Sequence, residues 1–503
     1  MKSQEAEAED GLTKCVLPTS SITSNREIFY EKNSQQYVDS LSLVTISFLS
    51  AQTKTSGNLT PEQKSWIAKA YRFEKSGWIY LHIEGTPEER GFQHGYLLAN
   101  EIKEGVRSDA VEWNHETSLE WTWLVKEARE VSTPKVDSED IAEIDGIVEG
   151  MNAAGDSTSR DEIVALNGFM ELDGYWWPSV KDSMNINSID PPKESCSSFI
   201  ATGSMTHDGK IVLGHNSMDG YEVPFCNIIL DILPAKGHRI LMQSAPGLIH
   251  SSTDFFVTDA GLVGSETTIA GFLPFDEKGV PEFSRMRHAT QYADSIDDWC
   301  AMMKEGNNGG YANAWLIGDV NTNEIARLEL GLKNIAFEKK KDGYFVGSNV
   351  VEDLKLLRRE TKTQETNIKS TIVARRVRWK QLMKEYAGKI DLDLAENFES
   401  DHYDTYLNTN VGDGRSLCAH FDLDPQLSTG VAPFAPLGTL DGKVVDSKMA
   451  KDMSFIARWG AACGAPFDAN KFLDAHPQYD WMKDILKDRP TQPWTVFKAG
   501  EKW

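Results

Sequence analysis

The stretch Ser195-Cys196-Ser197-Ser198-Phe199-Ile200-Ala201-Thr202 is followed by the turn Asp208-Gly209 and then by Val212-Leu213-Gly214-His215-Asn216-Ser217-Met218-Asp219. Two apolar runs around an Asp-Gly turn predict a β-hairpin with Cys196 at the head of its first strand. A thiol in that position, with polar groups delivered beside it by the next strand, has the ingredients of an activated nucleophile. If the Ser195–Cys196 bond were cut, the base would be the cysteine's own α-amine. A free α-amine titrates at about 7.7–8.0, so part of it is unprotonated near neutral pH and can take the thiol proton. The expectation is that the Cys196 thiol attacks the Ser195 carbonyl, passes through a thioester and leaves a chain that begins at Cys196. A lone cysteine is more often buried and inert, so the rest of the sequence has to decide.

With 503 residues, 40% of them hydrophobic and 14 tryptophans, the chain can bury a substantial core as two or three domains, or as one large domain with an attached segment. A net charge of −24 argues against nucleic acid and against anionic membranes as partners. The six cysteines, at positions 15, 196, 226, 300, 418 and 463, show no Cys-x-x-Cys spacing, and the 11 histidines are spread singly. Neither a metal site nor a cofactor is predicted, and a dense disulfide framework is not indicated. His-Glu-x-x-His, Gly-x-Ser-x-Gly and Walker A signatures are missing. Residues 1–10 are polar and acidic, unlike an export signal, and the apolar run 41–49 is too short to span a bilayer. As it stands the chain reads as cytoplasmic, without a transmembrane segment.

Residues 1–75 are mixed and Ser/Thr-rich, an N-terminal extension. From 76 to 181 apolar residues recur at three and four, predicting helices over 88–106, 110–128, 138–153 and 161–175. Residues 182–195, with Asn185, Asn187, Pro191 and Pro192, read as an exposed linker suited to a processing site. Beyond it strands are expected at 198–204, 210–216, 226–233, 239–244, 254–258 and 262–268, then helices at 284–293 and 295–304, strands at 314–318, 324–330 and 344–347, and a helix at 370–386. Strands and helices grouped in blocks predict a layered α+β domain over 196–503.

The ordered set Ser195-Cys196-Ser197-Ser198-Phe199, Gly214-His215-Asn216, Ser244-Ala245-Pro246-Gly247-Leu248-Ile249, Gly261-Leu262 leading to Glu266-Thr267-Thr268-Ile269, and Gly309-Gly310-Tyr311-Ala312-Asn313-Ala314-Trp315 resembles the phospholipase B-like proteins. Those belong to the clan of cysteine N-terminal nucleophile hydrolases, with the isopenicillin N acyltransferase-like and bile salt hydrolase families. Gly77-Trp78 through Arg90-Gly91-Phe92-Gln93-His94-Gly95 is similar to the segment that relatives carry ahead of the nucleophile. The resemblance implies a four-layered αββα sandwich, autoproteolysis before Cys196, and hydrolysis or transfer of an acyl group. It also allows a secreted or lysosomal location.

Carried over residue by residue, the resemblance makes Cys196 the nucleophile and Asp219 the holder of its α-amine, although that match needs one inserted residue. His215 stands where relatives have arginine, Asn216 keeps its place, and Asn349 corresponds to an oxyanion donor. Thr267 or Thr268 would take the second oxyanion-side position. Arg375, followed by Arg378, matches an arginine that completes the site, and Asn313 and Trp315 would line or support the cleft. The substrate expected is a small acyl amide, with a lipid acyl ester as the alternative. A catalytically silent binding protein is a further alternative. The two fragments are expected to stay associated after cleavage.

Overall fold

The computed structural model describes residues 59–184, 186, 196–223, 227–251, 255–425 and 431–502. Residues 1–58 of the expected extension, most of the linker including Ser195, and Cys15 and Cys226 lie outside the described residues. The strands in chain order are β1 (Tyr71–Lys75), β2 (Trp78–Gly85), β3 (Ser197–Thr202), β4 (Val212–Gly220), β5 (Ile228–Pro234), β6 (Ile240–Ser244), β7 (Phe256–Thr258), β8 (Leu262–Thr268), β9 (Asn313–Asp319), β10 (Glu324–Leu330), β11 (Ile335–Lys340), β12 (Gly343–Gly347), the short pair β13 (Tyr403–Asp404) and β14 (Thr409–Asn410), β15 (Leu437–Asp446), β16 (Ser454–Trp459) and β17 (Thr495–Lys498).

Nine strands form one sheet in the order β1-β2-β5-β6-β7-β8-β9-β10-β11, and six form another in the order β12-β3-β4-β15-β16-β17. Side chains of a strand alternate between faces, and the alternation sorts the core into layers. Tyr80, Ile229, Leu241, Val263 and Leu316 of the larger sheet meet Ile200, Leu213, Phe345, Val445 and Phe455 of the smaller one. The other face of the larger sheet (Leu81, Leu230, Met242, Ile317) packs on Ile102, Ile147, Met286 and Trp299 from helices. The outer face of the smaller sheet (Phe199, Ala201, Val444) packs on Trp379, Met383 and Phe398, also from helices. Helix, sheet, sheet, helix is the four-layered αββα order expected.

Within it, the 76–181 region is more than helical. Strand β2 joins the larger sheet, running parallel to β5 from Ile79↔Ile228 to Gly85↔Pro234, and pairs on its other edge with β1, which lies within the expected 1–75 extension. The expected helix over 88–106 is two, Pro87–Leu97 and Ala99–Thr117, and the latter ends on Ser118 at φ 61°. Helix Pro87–Leu97 packs on Ser138–Ala154 through glycines. A Cβ on Gly95 would lie 2.0 Å from the Ile147 carbonyl oxygen, so only glycine permits that approach.

Candidate active site

Cys196 heads β3 at φ 77°, a left-handed conformation that a non-glycine residue adopts at a cost. It is 2% exposed. Its Sγ donates to Glu266 Oε1 on β8 at 3.5 Å, and the Tyr311 hydroxyl donates to the same oxygen at 3.1 Å. The β7 ladder stops at Gly264, so β8 carries Glu266 past the end of its neighbour. His215 on β4, paired with Ser198 of β3 and Lys443 of β15, brings its ring to within 4.8 Å of both the sulfur and the carboxylate.

A buried ionic group flanks this trio. Lys443 Nζ donates to Asp441 Oδ1 at 2.5 Å and to Ser217 Oγ at 2.6 Å. Burial pushes the Cys196 thiol well above its usual range and the neighbouring Glu266 adds to the shift, while the Met218 amide and Lys443 act the other way. Burial raises Glu266 to about 8, against the hydrogen bonds from Tyr311 and Cys196. Burial, then Lys443, hold His215 well below the ordinary imidazole range, which keeps the ring neutral. The thiol is therefore protonated and shielded, and the groups beside it are a neutral imidazole and a carboxyl raised to about 8.

Arg375, fully buried on helix Thr371–Glu385, ties three segments together. Its Nη1 donates to the Cys196 carbonyl oxygen at 2.5 Å and its Nη2 to Asn349 Oδ1 at 2.9 Å; Asn349 Nδ2 in turn donates to the Thr268 carbonyl at 2.8 Å. One turn along the same helix, Trp379 Nε1 donates to Ser197 Oγ at 2.8 Å. Thr268 pairs with Asn313 across β8 and β9. The hydroxyls of Thr267 and Thr268 and both amide atoms of Asn313 are buried without a protein hydrogen bond.

Of the residues expected from sequence, Cys196, His215, Asn349, Arg375, Thr267, Thr268 and Asn313 lie around or next to this centre. Three do not gather there. Asn216 points to the opposite face of β4, where its Nδ2 donates to the Glu399 and Leu417 carbonyls at 2.6 and 3.0 Å. Trp315 packs edge-on against Trp299 at 4.9 Å, on the helix side of the larger sheet. Arg378 pairs with Asp401 at 2.6 Å. Asp219, near the end of β4, accepts the Gly220 N–H at 2.8 Å, and burial raises its carboxyl. Glu266 stood in a quoted motif without a role, and Tyr311, Asp441 and Lys443 had none. Asp441-x-Lys443, two charges on one face of the otherwise apolar run 437–445, was the available signal.

Residues 138–337 match the phospholipase B family model. It is 28% identical over 254 residues to an uncharacterized protein of Archaeoglobus fulgidus, covering 48% of this chain and 42% of that one. It is 25% identical to putative phospholipase B-like 2 of Mus musculus, covering 58% and 54%, and 27% identical to phospholipase B of Crotalus adamanteus, covering 43% and 42%. The chain spans about half the length of these relatives. A mutant conjugated bile acid hydrolase from Clostridium perfringens overlaps 52% of this chain and 89% of its own at a TM-score of 0.31 and 10% identity, too slight a likeness to add to the layer order.

Proposed function

We propose that this protein is a self-processing cysteine hydrolase. In the first step the Cys196 thiol gives its proton to the ionised form of Glu266, the minor form at neutral pH, while the sulfur attacks the Ser195 carbonyl carbon through a five-membered ring. The C–N bond breaks, the proton passes to the nitrogen, and a thioester with a free α-amine results. Water then hydrolyses the thioester, leaving the Ser195 carboxylate and a thiol whose base is its own amine. The observation that carries this reading is the Cys196 residue itself: a nucleophile 3.5 Å from a carboxyl that titrates near 8, in a backbone conformation at φ 77°. That torsion is defined by the carbonyl carbon of the preceding residue, so cutting the bond abolishes it and releases about 1–3 kcal/mol.

In the mature enzyme Cys196 takes the acyl group of an exogenous amide as a thioester, releases the amine, and water frees the acid. Asn349, held by Arg375, is the oxyanion donor, since its amide stabilises developing charge without titrating. The buried, unsatisfied hydroxyls of Thr267 and Thr268 and the amide of Asn313, together with the unsatisfied nitrogens of His215, are polar groups available to hold a substrate. A lipid acyl ester is the second reading, favoured by the phospholipase B match. Both are tested by acid-quenching the protein during turnover of N-acyl amino acids or of lysophospholipid, and weighing the fragment that starts at Cys196. An added acyl mass, absent in Cys196→Ala, supports the thioester. Product release with no adduct under single-turnover conditions contradicts it, and the substrate class that yields the adduct decides between amide and ester.

A further inference from the structure

Far from the thiol in sequence, and on the outer side of the smaller sheet, four side chains converge. His402 precedes β13, Cys418 and His420 lie in the segment after β14, and Cys463 follows β16. Cys418 and His420 are buried, while His402 and Cys463 are half-buried. One ligand-capable atom from each lies within 4.8 Å of all the others. The His420 Nε2 is 3.6 Å from Cys418 Sγ and 3.4 Å from Cys463 Sγ. A tetrahedral zinc ion with Zn–S of about 2.3 Å and Zn–N of about 2.0–2.1 Å requires sulfur-to-nitrogen edges of about 3.6 Å. The two sulfur-to-nitrogen edges at His420 are those of a tetrahedral Cys2His2 shell.

Three further features fit. The Nε2 of His402 is buried with no protein hydrogen bond. The Ala465 N–H donates to Cys463 Sγ at 3.3 Å across Gly464 at φ 83°, an amide-to-sulfur contact that favours a thiolate. Two thiolates neutralise a divalent ion, so the loaded site carries no net charge, which suits its burial.

The geometry points to a structural zinc site formed by His402, Cys418, His420 and Cys463. With four protein ligands it has no open position, so its work is to clamp. The chain segments it would join are already laid together, the Cys418 N–H donating to the Asp401 carbonyl at 3.0 Å and Ser400 Oγ to the Ala462 carbonyl at 2.9 Å. Asn216 grips the same segments from β4 through the Glu399 and Leu417 carbonyls, so the metal would brace the strand that carries His215 on its other face.

The experiment is metal analysis of the purified full-length chain, prepared reduced and dialysed against zinc, with Co2+ replacing zinc as the optical probe. About one equivalent of zinc per chain is expected, and the Co2+ form should show tetrahedral d–d bands with thiolate charge transfer. His402→Ala should lower zinc content or affinity at least tenfold, whereas Cys300→Ser, elsewhere in the fold, should leave it unchanged. Wild-type protein that binds no zinc, or zinc bound equally well by His402→Ala, overturns the assignment. Since zinc content is read directly, that failure is separate from any failure of the catalytic reading.

Discussion

Glu266→Gln, placed in a Cys196→Ala background so that the chain stays whole, isolates the carboxyl beside the thiol. Glu266 is fully buried and titrates near 8 in the fold against about 4.5 when unfolded. Its folded pKa is the raised one, so its contribution to stability is complete below about 4.5 and is lost as pH rises through 8. Linkage then makes the carboxyl responsible for losing roughly 2–3 kcal/mol between pH 5 and pH 7. Glutamine has nearly the same shape, can still accept from Tyr311, and cannot ionise. Urea unfolding at the two pH values should therefore show the Gln variant losing about 2–3 kcal/mol less than its Glu parent. In a chain that keeps Cys196, the same substitution should slow processing by roughly 10²–10⁴, the usual worth of a positioned base. Parallel stability profiles for the two proteins, or processing of Glu266→Gln at the wild-type rate, would refute the role given to this residue.

Two further outcomes follow from the same physics. Asp109, Glu112 and Glu116 on helix Ala99–Thr117 are raised by burial and then by neighbouring acids that include Glu222 and Asp219; Glu116 reaches about 9 and Glu222 about 8. These are raised folded values, so the cluster's own contribution to stability is lost as pH rises from 5 to 9; the melting temperature of Glu222→Gln should therefore fall less, or rise more, than that of wild type over this range, and parallel profiles for the two proteins would contradict this. Arg375→Met removes the hydrogen bonds to the Cys196 carbonyl and to Asn349. It should cost roughly 2–4 kcal/mol in urea unfolding and slow processing, with Arg375→Lys recovering part of the stability. A Met variant as stable as wild type would sink the bridging role.

The sequence was most legible where local pattern and tertiary environment agree. The Asp208-Gly209 turn and the apolar runs on either side of it place β3 and β4 correctly, and Cys196 falls at the strand head as expected. Strand β1 was missed because its charged residues, Arg72, Glu74 and Lys75, read as surface, and β2 was placed in the helical region although Trp78, Tyr80 and Leu81 are buried in a sheet. Asn216 was assigned to the site because it keeps its place in the motif of the resembling families; strand alternation sends it and His215 to opposite faces. Glu266 escaped assignment because a buried carboxylate cannot be told from an exposed one without its surroundings. The four residues at 402, 418, 420 and 463 escaped for a different reason. Only Cys418-x-His420 is local, and the fold supplies the other two from segments with no spacing relation to it.

The central claim is that Cys196 cuts the bond before it, and intact mass under denaturing conditions, with N-terminal sequencing, tests that most directly. Wild-type protein should yield pieces of roughly 22 and 34 kDa from the 56.2 kDa chain, the larger beginning Cys-Ser-Ser-Phe, while Cys196→Ala stays whole. Wild type that remains whole after prolonged incubation across the pH range, or a Cys196→Ala chain cut at the same bond, would contradict it.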